Sequence, residues 1–521
     1  MVYVCCSAPV HAMRRPTTMQ TRYHGKLREV SLSSIEPEGW LRLYLEKQAR
    51  GLTGHPEVAG YPFDAVPFAV NERTKHRHGT GWWPYEQAGY WLDGATRCAH
   101  LVQDAPLLAK VGKQIDFLLK HADRDGFIGP SFLKEEGHCN QWAHAVFLRA
   151  LMARHSATGD KRIVDALRRH YRGNACDFGH YRETCNVEQL GWAYARTGDP
   201  ALLRAAKTAY RRHQVWARKN DPQFLLETML TNARATTHGV SFCEIMKLGA
   251  VMYLYTGTRR WLDASVKAFR KLERHQMLID GVPSSSEFLR GKDPLDSHET
   301  CVVSDYTWAA GYLLMATGDA TWADRIERAV LNAGMGAITK DFSGLQYFSC
   351  PNQVVATANS NHNIYFGGGG WMRYAPNPGT ECCAGNVHRI LPNYAARMWM
   401  TGRDGDPVAC LYGASRHTFT PKGTKRSVTI VEETNYPFSE EITFQVRTAA
   451  PVAFGLTVRI PGWCRGATVY VNGVRRTLRT TPGTFVTIRR TFANNDRITV
   501  RLPMRVKQTR WPKGGTGIEY G

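Results

Sequence analysis

One phrase recurs four times along the chain and restricts the fold more than any other feature. Each copy has a run with helical apolar spacing, then Thr-Gly-Asp or Thr-Gly-Thr, then a second such run; the glycines are Gly159, Gly198, Gly257 and Gly318. Glycine adopts the left-handed conformation that ends a helix, and an Asp or Thr after it can cap the next helix. Each phrase therefore predicts a hairpin of two antiparallel helices.

The irregular length of these units favours a closed barrel. A series of helical hairpins can build an open solenoid or a closed α/α toroid. The loops between the units carry polar, aromatic and Gly-rich insertions, which are typical of a ring whose long loops gather at one mouth. Helical patterns in WPYEQAGYWLDGATRCAHLV and ILPNYAARMWM extend the series at both ends. We expect a mainly α catalytic domain, an (α/α)6 barrel, over residues 27–402.

After about Gly402 the pattern changes to alternation. Segments such as FGLTVRIPGW, ATVYVNGVRR and DRITVRLPM alternate apolar and polar residues between turn signals. They predict an antiparallel β-sandwich over residues 403–521, to which KLREVSL near the N-terminus adds a strand. The last residues, GTGIEYG, offer no closing strand, so we expect this domain to be incomplete at its C-terminus. Residues 1–26 are expected to form a disordered tail.

Length, charge and cysteine usage limit the class of protein. A chain of 521 residues predicts two or three domains. The net charge of +22 suits an anionic partner, but it is spread along the sequence without a basic arm, so we expect no nucleic acid partner. No stretch is long and apolar enough to span a bilayer, so no membrane partner is expected. The odd number of cysteines, thirteen, favours a reducing compartment. We therefore predict a cytoplasmic location, with export still open.

Two cysteine segments suggest a metal site. Cys382 and Cys383 are adjacent in PNPGTECCAGNVHR, and Glu299 and Cys301 stand two residues apart in SHETCVVSDYTW. Three thiols and one carboxylate suit tetrahedral Zn²⁺. The alternative is that these are structural thiols, since free cysteine is among the most buried residue types. Spacing alone leaves both interpretations open.

The order of the motifs resembles glycoside hydrolase family 127, the β-L-arabinofuranosidase family. The run from GVPSSSEFLRGKDPLDSHETC to GLQYFSC, followed by ECCAGNVHR, carries an acid segment, an E-T-C motif and a C-C pair as the family does. NVEQLGWAYARTGD, THGVSFCEIMKLGAVMYLYTG and VRIPGWCRGATVYVNG resemble further family blocks, and the resemblance covers the chain from about Trp83 onward. It implies an (α/α)6 barrel followed by β-sandwich domains. It also implies a retaining glycosidase that releases L-arabinofuranose or a related sugar from plant-type glycans.

The resemblance also implies roles for particular residues. Glu299, Cys301, Cys382 and Cys383 would hold Zn²⁺, Cys382 would be the nucleophile, and Glu287 in SSSEFL would be the general acid and base. A general acid must carry a proton before the first step, so we expect the cleft to raise the pKa of Glu287.

Other polar residues are candidates for substrate binding. His144 and His238 match histidines of the family, and Glu86 stands among aromatic residues at an expected mouth loop; Tyr347 is a weaker candidate. Each has a structural alternative, a satisfied core histidine for the first two and a helix start for Glu86.

Three departures from the family bear on substrate choice. Glu381 precedes the C-C pair, where relatives have an aromatic or small residue, and its carboxylate could pair with Arg389 or alter the charge around a metal. The stretch between Glu287 and Glu299 is short, which reshapes the loop beside the acid. The strong positive charge indicates an acidic sugar or polysaccharide.

Two other classes of protein stay open. An α/α-barrel lyase or unsaturated-uronyl hydrolase acting on acidic glycans fits the fold and the charge, although such enzymes need a Tyr/His or Asp pair rather than a Cys pair. A non-catalytic glycan-binding protein with structural zinc fits the cysteines. An oligosaccharide or glycoside is the partner in each case, and a homodimer is compatible with the sequence.

Overall fold

The computed structural model describes residues 22–63, 83–130, 132–135, 141–360, 362, 369–379 and 381–521. Most of the predicted tail, residues 1–21, lies outside the described ranges. The α-helices are, in chain order, α1 (Gly39–Arg50), α2 (Trp83–Val102), α3 (Ala105–Lys120), α4 (Phe132–Glu135), α5 (Trp142–Thr158), α6 (Lys161–Gly173), α7 (Val187–Thr197), α8 (Pro200–Asn220), α9 (Leu226–Met229), α10 (Gly239–Met246), α11 (Leu248–Thr256), α12 (Arg259–His275), α13 (Thr300–Thr317), α14 (Thr321–Ala329), α15 (Glu381–Asn386) and α16 (Ile390–Ala396).

The strands are β1 (Leu27–Glu29), β2 (Ile35–Pro37), β3 (Ser285–Ser286), β4 (Phe288–Leu289), β5 (His298–Glu299), β6 (Phe348–Ser349), β7 (Trp399–Gly402), β8 (Pro407–Ala409), β9 (Ser415–Phe419), β10 (Val428–Glu433), β11 (Glu441–Thr448), β12 (Val452–Ile460), β13 (Thr468–Val471), β14 (Val474–Arg476), β15 (Thr484–Phe492), β16 (Arg497–Arg501), β17 (Val506–Arg510) and β18 (Thr516–Tyr520).

The helices form two concentric layers, which confirms the predicted (α/α)6 barrel. In α13 every residue from Thr300 to Ala316 is buried, whereas α6 buries one face and exposes its arginines. A helix that is covered all round belongs inside a fold, and an amphipathic helix faces solvent. Helices α2, α5, α7, α10, α11 and α13 therefore form the inner wall, and α3, α6, α8, α12 and α14 lie outside. Helices α15 and α16 contact both α2 and α13, which closes the ring.

The recurring glycines end their helices as predicted. Gly159, Gly198, Gly257 and Gly318 all have left-handed backbone conformations with φ between 66° and 72°. Asp160 and Asp199 accept hydrogen bonds from backbone N–H groups of the next helix. At the third hairpin, the side chain of Thr258 makes no such cap.

The C-terminal part consists of two mainly antiparallel sheets. Their strand orders are β1-β7-β8-β12-β15 and β14-β13-β16-β11-β10-β9-β2. Strand β1 pairs with β7 and β2 pairs with β9, so the segment before the barrel belongs to these sheets, and the strand expected in KLREVSL is confirmed. The expectation that the last residues form no strand is wrong. Thr516–Tyr520 pairs with Val506–Arg510 as a hairpin.

Two further observations bear on the sequence predictions. All cysteines in the described ranges are free thiols. None of the described helices combines the length and the hydropathy needed to cross a bilayer.

A buried ion network joins the inner helices. The Arg149 guanidinium on α5 donates to Glu188 on α7 at 3.0 and 3.1 Å and to Glu244 on α10 at 2.7 and 2.8 Å. Lys247 also contacts both carboxylates, and all four side chains are fully buried. Because each charge has partners of opposite sign, the inner wall can hold ionised groups away from water.

Replacing Arg149 should therefore destabilise the barrel strongly. Arg149→Met leaves two buried carboxylates with only Lys247 as a cation, and we expect a loss of about 3–5 kcal/mol in the free energy of unfolding. Equilibrium urea denaturation followed by tryptophan fluorescence measures it. The matched control is Arg162→Met on outer helix α6, where the arginine side chain is 64% exposed, and it should cost less than about 1 kcal/mol. Equal losses in the two variants would contradict this account.

Candidate active site

A small four-stranded sheet, β4-β3-β5-β6, brings the acidic residues together. Strands β3 and β4 form a tight hairpin with Glu287 between them, at a left-handed φ of 64°. Strand β5 carries Glu299, which pairs with Phe348 on β6, so Tyr347 lies next to it. Non-glycine residues with positive φ are uncommon and cluster at functional sites, because the surrounding structure must hold them. The backbone N–H of Gly239 donates to the Glu287 carbonyl at 2.7 Å and anchors the hairpin to α10.

The Glu287 carboxylate accepts hydrogen bonds from two side chains. His238 Nε2 lies 2.8 Å from Oε2, and the Tyr347 hydroxyl donates to Oε1. Burial raises the pKa of Glu287, but the hydrogen bond from His238 and that from the Tyr347 hydroxyl outweigh burial and hold the pKa below its ordinary value. The expectation of a raised pKa is therefore wrong for the free protein, since two donors stabilise the ionised carboxylate.

The hydrogen bonds of His238 select one tautomer of its ring. Its Nδ1 accepts from the backbone N–H of Ser241 at 3.3 Å, as the cap of α10, and from Arg182 Nη2 at 3.2 Å. Burial lowers the pKa of His238, so the neutral ring is favoured. With Nδ1 as the acceptor, the proton resides on Nε2 and points at Glu287.

Arg182 is a site residue that the sequence analysis missed. Its guanidinium lies 3.4 Å from Glu86 Oε1, donates to Ser241 Oγ at 2.7 Å, and so connects Glu86 with His238. Burial raises the pKa of Glu86 to about 7, although Arg182 opposes the shift. Glu86 is thus a buried carboxyl of α2 that also accepts from the Tyr90 hydroxyl at 2.9 Å. In sequence, Arg182 was one basic residue among many, and no motif marked it.

The predicted cysteines converge beside this group. The Sγ atoms of Cys301, Cys382 and Cys383 all lie within 4.8 Å of one another, and the Cys301 and Cys383 sulfurs are 3.1 Å apart. Cys301 and Cys383 are buried, whereas Cys382 is half-buried. The Cys382 sulfur lies 3.2 Å from the Tyr347 hydroxyl. Hydrogen bonds from the other two thiols hold the pKa of Cys382 well below its usual range despite its burial.

The donor set fits a thiolate-binding divalent cation. Glu299 and Cys301 stand at the N-terminus of α13, where the helix dipole favours negative charge. Glu299 lies within 4.8 Å of His238 and Glu287 in the adjoining group, and its Oε1 is buried with no hydrogen-bond partner among the described residues. Burial, Glu287 and Cys382 together raise the pKa of Glu299 well above its ordinary value. The three thiols are the kind of ligands that bind such a cation, and the unpartnered oxygen of Glu299 belongs to the adjoining group with His238 and Glu287.

His144 lies apart from this group. It is fully buried, its Nε2 is 2.7 Å from the Ile128 carbonyl oxygen, and its ring stacks on His170. Burial lowers its pKa to about 4. These are the surroundings of a core histidine, and the described contacts of His144 do not reach the thiols or Glu287.

The suggested pairing of Glu381 with Arg389 stays a prediction. The side chain of Glu381 lies outside the described residues. Arg389 pairs with Asp93 at 3.2 Å and with Asp305 at 2.8 Å, and it donates to Asn386 at the end of α15.

Comparison with known proteins gives the family of both parts of the chain. Residues 58–396 match the family model described as the β-L-arabinofuranosidase GH127 catalytic domain, and residues 408–504 match the GH127 middle domain. No curated protein matches the chain in sequence.

Solved structures share the fold at low sequence identity. A GH127 β-L-arabinofuranosidase from Geobacillus stearothermophilus T6 superposes with a TM-score of 0.76 at 18% identity, over 94% of this chain and 85% of that one. A second structure, a GH127 β-arabinofuranosidase, superposes with a TM-score of 0.74 at 17% identity, over 96% of this chain and 85% of that one.

The different exposure of the three thiols predicts their order of alkylation. In the presence of a chelator, iodoacetamide should modify Cys382 before Cys301 or Cys383, because Cys382 is the accessible thiol and its neighbours favour the thiolate. Peptide mass spectrometry at short reaction times measures the order. The fully buried Cys410 provides the internal control and should stay unmodified. Modification of Cys383 first would contradict the site geometry.

Proposed function

We propose, since the chain belongs to glycoside hydrolase family 127, that it is a retaining glycosidase that uses Cys382 as its nucleophile and Glu287 as its general acid and base. The protein is a glycosidase of glycan substrates. L-Arabinofuranose or a related sugar is the group we expect it to release. The free thiols of the described chain support the predicted reducing, cytoplasmic location.

One observation carries the assignment of Cys382 and Glu287. A single hydroxyl, that of Tyr347, contacts both the Cys382 sulfur and the Glu287 carboxylate. The two groups therefore lie within two hydrogen-bond lengths of each other. A retaining glycosidase places its nucleophile and its acid/base ~5–5.5 Å apart, and this bridge supports a similar separation here.

In the first step the Cys382 thiolate attacks the anomeric carbon. A carbon–sulfur bond forms, the glycosidic carbon–oxygen bond breaks, and Glu287 gives a proton to the leaving oxygen. Glu287 is ionised in the free protein, so it must take up a proton before this step. A sugar that fills the cleft excludes water from the carboxylate, and this desolvation raises its pKa.

In the second step water replaces the sulfur. Glu287, again ionised, accepts a proton from the water, whose oxygen bonds to the anomeric carbon as the carbon–sulfur bond breaks. The Nε2–H of His238 and the Tyr347 hydroxyl hold the carboxylate in position through both steps. Arg182 acts through His238, because its guanidinium keeps Nδ1 as an acceptor and so keeps the Nε2 proton directed at Glu287.

Glu299, Cys301, Cys382 and Cys383 would hold one Zn²⁺. When bound, the ion supplies the positive charge that keeps the buried thiols ionised. Glu86 and His238 remain our candidates for contacts to sugar hydroxyls, and the raised pKa of Glu86 suits it to donate a hydrogen bond as well as to accept one.

Metal content tests the proposed zinc site. Protein purified without added zinc should carry about one Zn²⁺ per chain by elemental mass spectrometry, and Cys383→Ala should lose most of it, because a ligand is removed. Cys410→Ala removes an equally buried thiol outside the site and should keep the metal. A folded wild-type protein without metal would overturn the zinc assignment.

Kinetics of a Glu287 variant test the two-step mechanism. With a 4-nitrophenyl L-arabinofuranoside, Glu287→Gln should lower kcat by roughly 10²–10⁴-fold, because the base of the second step is lost. Intact mass spectrometry of this variant should show one added sugar, and Cys382→Ala in the same background should abolish the adduct.

The matched control for this experiment is Glu183→Gln. Glu183 follows Arg182 in sequence, but its buried carboxylate accepts from the backbone N–H of Gln141 at 3.3 Å. Burial raises its pKa to about 9, so it is already neutral near pH 7. The kcat of the Glu183→Gln variant should stay within a few-fold of the wild-type value. A sugar adduct that persists without Cys382 would refute the proposed nucleophile.

A further inference from the structure

Three outer helices have a large excess of basic over acidic residues. Helix α6 has five basic residues (Arg or Lys) and one acidic residue. Helix α8 has six basic residues and no acidic residue, and α12 has six basic and two acidic residues. Their combined net charge is +14, out of +22 for the whole chain. Charge that seems evenly spread along the sequence is therefore concentrated on one layer of the barrel.

A groove runs along this layer between α3 and α6, with a volume of about 910 Å³. Its floor includes the apolar atoms of Leu119 and Ala166. Asp116 and Asp165 are its acidic members. The cations that line it are Lys120, Arg162, Arg168, Arg169 and Arg172.

Part of this charge is free for a ligand. Arg162 pairs with Asp116 and Asp160, and Arg168 lies 3.0 Å from Asp199. Lys120 and Arg169, by contrast, form no ion pair within the described part of the chain, and both are exposed. A partner with carboxylates would complete the pairing that these two cations lack.

The positive surface continues from the groove onto α8. Asp199, which pairs with Arg168, caps the N-terminus of α8. Further along this helix, Arg204 and Arg211 are seven residues apart, which puts them on one face, and both are exposed. Exposed positive charge therefore extends over roughly 10 Å of α8 besides the groove, a span that suits a polymer better than one small anion.

We propose that this surface binds a carboxylated polysaccharide and holds the enzyme on an acidic glycan. The guanidinium fork matches a carboxylate with two parallel hydrogen bonds, and an apolar floor suits the face of a sugar ring. A polyuronate is favoured over nucleic acid because the protein is a glycosidase, whose substrates are attached to glycan polymers. The inference goes beyond the proposed function and does not depend on the thiol site.

Binding to polygalacturonate tests this surface. Titration calorimetry at low salt, with the full-length protein, would compare wild type with Lys120→Glu/Arg169→Glu. We expect at least about tenfold weaker binding in this variant, because two charge-assisted contacts are replaced by repulsion. Binding of the wild type should also weaken as salt is added.

The matched control is Arg475→Glu/Arg476→Glu. Both arginines are exposed on β14 of the C-terminal sheets, and the net charge falls by the same amount. This variant should bind polygalacturonate within about twofold of the wild-type affinity if the groove makes local contacts. An equal loss of affinity in both variants would overturn the site.

The chemistry of the partner has its own test. Tighter binding of a neutral arabinan, or of double-stranded DNA, than of polygalacturonate would overturn the proposed partner. Neither variant touches the thiol site, so hydrolysis of the 4-nitrophenyl glycoside should be unchanged in both, whatever the outcome of the proposed mechanism.

Discussion

The barrel depends on a chain of ion pairs buried along its axis. Arg149 neutralises Glu188 and Glu244, and Asp305, whose pKa burial raises to about 7, continues the chain from Glu244 to Arg389. Inner helices that come from distant parts of the sequence are thereby held at fixed distances. Desolvating these charges costs free energy, and their mutual pairing offsets it only when every partner is present. The same chain ends at Asn386, on the short helix that carries the cysteine pair.

The proposed active site depends on this rigidity. Cys301 lies in the first turn of α13 and Cys383 in α15, and the two sulfurs meet because the two helices contact each other inside the ring. Glu287 sits on a separate hairpin, where a left-handed backbone and two donors aim its carboxylate. Arg182 and His238 add a layer behind it that selects a tautomer. Sites that must hold reacting groups to within fractions of an ångström need such support from packed elements.

The chemistry and the proposed glycan surface occupy different layers of the barrel. The inner helices and their loops hold the thiols and carboxylates close together and away from water. In such surroundings, small changes in the distances between these side chains shift their pKa values. The outer helices are solvated, and their arginines are worth little individually but act together on a polymer. An enzyme that hydrolyses side groups of a charged polysaccharide would benefit from both, because the outer surface raises the local concentration of substrate at the mouth.

Local signals in the sequence determined the hairpins, the β region and the residue types of the thiol site. The glycines at 159, 198, 257 and 318 end helices because glycine adopts a left-handed backbone conformation easily. The C-C and E-T-C segments supply thiol and carboxylate ligands, whose chemistry does not depend on where the fold places them. Tertiary structure alone decided which polar groups meet. It buried His144 away from the thiols, placed Arg182 behind His238, and lowered the pKa of Glu287 that the sequence argument expected to be raised. It also placed three separate basic helices in the outer layer of the barrel. The physical reason is that pKa values and fields depend on distances through space and on burial, and neither can be calculated from spacing along a chain.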